Sequence, residues 1–202
     1  FLNAATRGLL GIVQVGVLPD MICFAPNGLS VLTANEGEML TDGSDPSPGS
    51  VSIIDVSAGY ATPPVTTVGF GAFDAAASDL KAAGVRLYED PNNPGQLRLP
   101  SLDLEPEYIA VAPNSLSAMV TLQEANAVAI LDLATKTFTR IVPLGEKNFS
   151  SLLADFSDRD GAGGVTSRNL TTCNPVFGLY MPDAIASYHA NGQTYYVTAN
   201  EG

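Results

Sequence analysis

Three acidic dipeptides, each closing a short β-forming run, are the groups in this chain best placed to do chemistry: Asn35-Glu36, Gln123-Glu124 and Asn200-Glu201. If those runs are equivalent strands, Glu36, Glu124 and Glu201 recur around one rim beside the amide oxygens of Asn and Gln. Such a set offers the hard oxygen donors that Ca²⁺ takes. The competing reading is structural: each Glu accepts hydrogen bonds from nearby turn amides and ties one repeat to the next. Repetition favours the structural reading, since a single metal site rarely needs the same residue in every repeat. A second acidic group is Asp155-Phe156-Ser157-Asp158-Arg159-Asp160-Gly161. It has the Asp-x-Asp-Gly core of a calcium loop, but Phe156 would be the first ligand and Ser167 the last, where an EF-hand needs an oxygen ligand and a Glu. Asp155, Asp158 and Asp160 are therefore candidates for a looser Ca²⁺ site or a plain acidic surface turn. The loop from Glu36 to Gly49, with Glu38, Asp42 and Asp45, is a weaker case of the same kind.

Catalytic chemistry finds less support. His189 is the one histidine and stands beside the Asn191-Gly192 turn, where solvent exposure is expected. With no second imidazole in this chain, the usual zinc and two-metal hydrolase sites are not built here. Neither a Gly-x-Ser-x-Gly elbow nor a phosphate-binding P-loop occurs.

The acidic dipeptides are positioned by a phrase that the chain repeats. It runs Pro, acid, any residue, Ile, a turn, then a strand closing on Thr. The copies are Pro19-Asp20-Met21-Ile22 to Thr33, Pro106-Glu107-Tyr108-Ile109 to Thr121, and Pro182-Asp183-Ala184-Ile185 to Thr198. The Pro-to-Thr spacing grows by one residue per copy, which is assigned to turn length. After the first copy come β-rich runs at 50–56 and 65–70, and after the second at 127–133 and 137–143. Pro26-Asn27-Gly28 and Pro113-Asn114-Ser115 mark the first turns. Asp55 and Asp132 end equivalent strands, where turn capping is expected. Residues 9–17 read as a further strand.

Four short antiparallel strands followed by another such set describe propeller blades. The chain is thus expected to be all-β: a partial β-propeller of four-stranded antiparallel blades, about two and a half of them, with one short helical insertion. The divisions are a blade at 18–70, an insertion at 71–103, a blade at 104–145, an insertion at 146–180 and an incomplete blade at 181–202. The Ala-rich stretch 72–83, stopped by Gly84, is the helix. Since so few blades cannot close a ring, the chain is expected to be a fragment of a longer polypeptide or to borrow strands from other chains.

Composition bounds the setting. Of 202 residues 46% are hydrophobic and only 15% charged, while 19 Gly and 14 Pro favour turns over helices. A net charge of −12 makes nucleic acid and anionic membrane poor partners. No apolar run is long enough for a membrane helix, so no direct membrane insertion is expected of this segment. The chain has no initiator Met and no basic stretch leading an apolar core, so a signal peptide is expected to have been removed or to lie outside it. Asn148 and Asn169 begin N-x-S/T sequons in expected loops, suited to glycosylation. Cys23 and Cys173 are open to two readings, a disulfide or a buried free thiol.

These phrases, with Asp103-Leu104-Glu105-Pro106-Glu107-Tyr108-Ile109-Ala110-Val111, Val120-Thr121-Leu122-Gln123-Glu124 and Ser157-Asp158-Arg159-Asp160-Gly161, resemble the choice-of-anchor I proteins. The resemblance runs from about Gly16 onward and keeps phrase order. It implies a secreted or surface-anchored β-propeller whose full-length members are longer than this chain. Some members are fused to phosphoesterase or nucleotidase domains, and the propeller looks distantly like that of calcium-dependent alkaline phosphatases. No agreed catalytic set exists to carry over. The expected role is a non-catalytic extracellular or cell-surface module for adhesion, matrix or appendage assembly, with Ca²⁺ as the one expected cofactor. Its expected partners are proteins, glycans or other copies of itself. The alternative is a part of a calcium-dependent secreted phosphoesterase.

Overall fold

The computed structural model describes residues 1–37, 47–157, 159–160, 163–164 and 168–201. The chain is an all-β, partial propeller built from antiparallel meanders. The first sheet is β1 (Pro19–Phe24), β2 (Ser30–Asn35), β3 (Ser50–Asp55) and β4 (Val65–Gly69), hydrogen-bonded in that order. The second is β5 (Ile109–Val111), β6 (Ser117–Leu122), β7 (Ala127–Asp132) and β8 (Thr137–Pro143), with the same order. A small pair, β9 (Glu146–Asn148) with β10 (Phe177–Leu179), precedes the hairpin of β11 (Pro182–Ala190) and β12 (Gln193–Asn200).

Local chemistry sets the turns. Asn27 Oδ1 accepts from the Leu29 N–H at 2.9 Å, and Asn114 Oδ1 from the Leu116 N–H at 3.0 Å, folding the chain back between first and second strands. Asp55 accepts from the Ser57 N–H and Asp132 from the Thr135 N–H, as their places at strand ends suggest. These bonds favour the charged form and hold both carboxyls below the usual range. The third hairpin turns on Asn191-Gly192, both with positive φ, the geometry that matches strand twist.

Pleat alternation sends each sheet's residues to two faces. In the first sheet, Met21, Cys23, Leu32, Ala34, Val51 and Ile53 face the second sheet. The second sheet answers with Ile109, Val111, Val120, Leu122, Ala129 and Leu131. Phe70 stacks on Phe138 with ring centroids 4.3 Å apart, closing this core at its outer end. The Lys136 ammonium donates to Thr66 Oγ1 at 3.2 Å across the same seam. The first insertion is a 3₁₀ turn, Gly71–Ala76, then α1 (Ala77–Ala83), which ends on Gly84 in the left-handed conformation. The one-turn α2 (Pro100–Asp103) follows.

Two details differ from the sequence reading. Residues 9–17 pair with no sheet edge. They lie flat on the far face of the first sheet, where Val13 and Val15 pack against Val31, Ile54 and Val56. Their alternation reflects burial against a face. The second insertion, expected to hold Asn148 in a loop, contributes β9, which ends on Asn148, and β10. Cys23 and Cys173 are both free thiols: Cys23 points into the core between the first two sheets, far from the exposed loop of Cys173. Burial pushes the Cys23 thiol up to about 11, so it stays protonated and inert.

Candidate functional site

The strand pairing corrects the register of the repeats. Ile22 stands opposite Thr33 and Ile185 opposite Thr198, but Ile109 stands opposite Val120. The first turns of copies one and two have equal length. The extra residue of the second copy therefore places Thr121 one step beyond Thr33 and Thr198. The residue at the place of Glu36 and Glu201 is Gln123, and Glu124 falls in the following turn. In the third copy the extra length goes into longer strands.

The aligned residues mostly hold strands together. Asn35 is buried. Its Oδ1 accepts from the Thr33 hydroxyl at 2.9 Å, and its amide donates to Ser50 Oγ and Ser52 Oγ at 3.2 and 3.0 Å, bolting β2 to β3. The Thr198 hydroxyl makes the same bond to Asn200 at 2.9 Å. Gln123 Nε2 donates to Glu201 Oε2 at 2.8 Å, tying the second sheet to the third hairpin. The Glu36 and Glu201 N–H groups donate to the carbonyls of Leu18 and Met181, at 2.9 and 3.0 Å, and both of those residues have φ +47°. Asn126 pins the entry of the third hairpin: its Oδ1 accepts from the N–H groups of Tyr180 and Met181, and its amide donates to Gly145 O.

A set of carboxylates remains at this rim. Glu105 and Glu107 lie in the lead-in to β5, partly buried. Burial foremost, then the charges of Glu124, Glu36 and Asp103, push Glu105 up to about 7. Burial again, then Glu124, Glu36, Asp20 and Asp183, push Glu107 up to about 8. Asp20, Glu107 and Asp183 are the acids that follow the repeated prolines, so the charge of one acid from each of the other two repeats is felt at Glu107. The rim was expected at the ends of the second strands. It also draws on the starts of the first strands, and the recurring Pro-acid pair was the signal for it.

Glu124 is held by its backbone. The guanidinium of Arg86 donates to its carbonyl at 3.2 Å, and the Arg86 N–H to the Ala125 carbonyl at 2.9 Å, clamping the 123–126 turn onto the first insertion. Its Oε2 is shut off from solvent and has no hydrogen-bond partner. Close backbone approach keeps the rim tight. A Cβ on Gly49 would sit 2.1 Å from Leu104 O and 2.7 Å from Pro106 Cδ, so only glycine fits where the first sheet meets the lead-in to β5. Among the described residues, no three His, Cys, Asp or Glu side chains already stand close enough to share a metal ion.

The other sequence candidates lie elsewhere. Asp155 and Asp160 are exposed in the second insertion, where both accept from Asn169, through its N–H and its amide at 3.3 and 2.8 Å. Asp158 lies outside the described residues, as do Glu38, Asp42 and Asp45. Asn148 and Asn169 are both exposed. The Asn148 Oδ1 accepts from the Ser150 N–H. His189 is exposed on β11, and no helix among the described residues is long and apolar enough to cross a membrane.

Among solved structures, the chain is similar to the hydrazine synthase of Kuenenia stuttgartiensis, with 13% identity and a TM-score of 0.41, over 92% of this chain and 42% of that one. It is also similar to U3-55K, with 9% identity and a TM-score of 0.36, over 88% of this chain and 44% of that one. The chain thus spans less than half the length of either. No curated protein matches it. The pattern of the choice-of-anchor I domain matches residues 1–202 from end to end, and the chain belongs to the choice-of-anchor I family.

Proposed function

We propose that this chain is a non-catalytic module of an extracellular or cell-surface protein, serving adhesion, matrix or appendage assembly, and that its acidic rim takes up Ca²⁺. The family points to surface-anchored proteins. The repeated polar side chains support a structural role, because Asn35, Gln123 and Glu201 are engaged in holding strands and sheets together. The observation that carries the Ca²⁺ reading is the orphaned Glu124 Oε2. A buried carboxylate oxygen with no donor is costly to keep, and a hard divalent cation is the partner its chemistry fits. The Glu36, Glu105 and Glu107 carboxylates around it supply oxygen donors of the type Ca²⁺ prefers, and cation binding would relieve their mutual repulsion.

Thermal unfolding tests the reading. At pH 8, Ca²⁺ in place of chelator raises the melting temperature of the wild type and leaves Glu124→Gln nearly unmoved. A melting temperature indifferent to Ca²⁺ removes the cation from the account. The competing reading, part of a calcium-dependent phosphoesterase, is separated by assay on a chromogenic phosphate ester. Hydrolysis abolished by chelation would replace the module with an enzyme.

A further inference from the structure

The first insertion holds a polar cavity that neither the sheet seams nor the acidic rim uses. Its volume is about 420 Å³, within the range of about 300–1,000 Å³ that small-ligand clefts occupy. Every residue lining it falls between Asp90 and Leu102, so a single internal loop builds the cavity. That loop is braced by its own backbone. The Asp90 N–H donates to the Gln96 carbonyl at 2.8 Å, the Arg98 N–H donates to the Tyr88 carbonyl at 3.0 Å, and Glu89 pairs with Leu97. Its far end is anchored as well. The Ser101 N–H and hydroxyl donate to the two Asp74 carboxylate oxygens at 2.8 and 2.9 Å, fixing α2 to the 3₁₀ turn.

The lining selects an occupant by hydrogen-bond type and by charge. Asp90 supplies acceptors, Arg98 supplies donors, and the amides of Asn92, Asn93 and Gln96 supply both. Hydroxyl groups, which donate and accept, match that mixture. The Asn93 amide donates to Asp90 Oδ2 at 2.6 Å and the Asn92 N–H to Oδ1 at 2.9 Å. These bonds fix the carboxylate in place and, with a smaller contribution from Arg98, hold it below the usual Asp range. The side-chain amides of Asn92 and Gln96 are exposed and bond to no other described residue, so both can turn to a ligand. Arg98 is only 8% exposed, and Asp103 stands 3.8 Å from its guanidinium. With Asp90 on the cavity wall too, the charge of Arg98 is balanced within the site. An anion therefore finds no unbalanced positive charge there and meets a chain of net charge −12, while a cation meets Arg98. Leu99, 47% exposed, adds an apolar surface to the lining.

We propose that this cavity binds a neutral saccharide, its hydroxyls bonded by Asp90, Asn92, Gln96 and Arg98 and a C–H face resting on Leu99. The inference deepens the surface role proposed above by naming a class of partner, and rests on that reading for its setting alone. Binding measured in chelator succeeds or fails independently of the Ca²⁺ test.

The probe is a printed set of neutral oligosaccharides ending in glucose, galactose, mannose or N-acetylglucosamine, with sialylated and sulfated counterparts, exposed to the full chain in chelator. The wild type is expected to bind at least one neutral glycan saturably, and its acidic counterparts at least about tenfold more weakly. The double variant Asn92→Ala/Gln96→Ala is expected to lose at least about tenfold in affinity for that glycan. Its circular dichroism and urea midpoint stay unchanged, since both side chains are exposed. Retention on no neutral glycan, a preference for the acidic ones, or wild-type affinity in the double variant each overturns the proposal.

Discussion

The seam between the first two sheets and the seam between the second sheet and the third hairpin use one repeat, yet they are built differently. The first is closed by four strands on each side, with the Phe70–Phe138 stack at its outer end. The second has two strands on its far side, and a Ser187 hydroxyl bond stands where the first has the buried Val111. Asn35 and Asn200 show what this does to a single residue. Both accept from a Thr hydroxyl at 2.9 Å, but Asn35 is buried and bonded to β3, while Asn200 is exposed on a sheet that comprises two strands among the described residues. The motif is constant; its energetic weight depends on how many strands cover it.

The largest expected effect sharpens this contrast at the apolar level. Phe70→Ala removes a fully buried ring and is expected to cost about 3–5 kcal/mol in urea unfolding. Val197→Ala on the open hairpin is expected to stay within about 0.5 kcal/mol. Equal losses would mean that the third hairpin is as closed as the first sheet. Next in size, Asn35→Ala strands the buried hydroxyls of Ser50 and Ser52 and is expected to cost about 1–3 kcal/mol. Asn200→Ala is expected to cost less than about 0.5 kcal/mol.

A smaller effect separates the acidic rim from the rest. The carboxyls of Glu105 and Glu107 are raised in the folded chain, so between their unfolded value of 4.5 and about 7 to 8 the folded state holds protons that the unfolded state has released. Stability therefore falls as pH rises through that window. Urea midpoints are expected to drop from pH 5.5 to pH 8 in chelator, and the double variant E105Q/E107Q is expected to flatten the slope. The lowered Asp55, Asp90 and Asp132 act in the opposite direction and only below the usual Asp range, so the windows do not overlap. A slope unchanged in the double variant would place the pH dependence elsewhere.

Much of the fold was legible because its signals are local. Pro-Asn turns, strand-ending Asp residues, the Ala-rich stretch before Gly84 and period-two runs each report on a few neighbouring residues. What escaped depends on contacts between distant ones. Thr121 matches Thr33 by letter, but the pairing of Ile109 with Val120 displaces it by one residue, and no local pattern encodes that slip. The β9–β10 pair joins Glu146–Asn148 to Phe177–Leu179 across the whole second insertion. Of the site, Glu36 and Glu124 were visible as motif residues, and the charges of both act on Glu105 and Glu107. Glu201 was visible too, but it is bonded to Gln123. Glu105 and Glu107 acquire their character from burial and from charges on other repeats, which become neighbours only when the sheets are stacked.

The central claim is that the rim around Glu124 is a cation site. Calorimetric titration of Ca²⁺ into the chelator-stripped chain at pH 8 tests it most directly, with Glu124→Gln and Glu107→Gln alongside. The account predicts saturable binding by the wild type, weakened at least about tenfold in each variant, equivalent to about 1.4 kcal/mol. Wild-type affinity retained in both variants, or no heat of binding in any of the three, would contradict it.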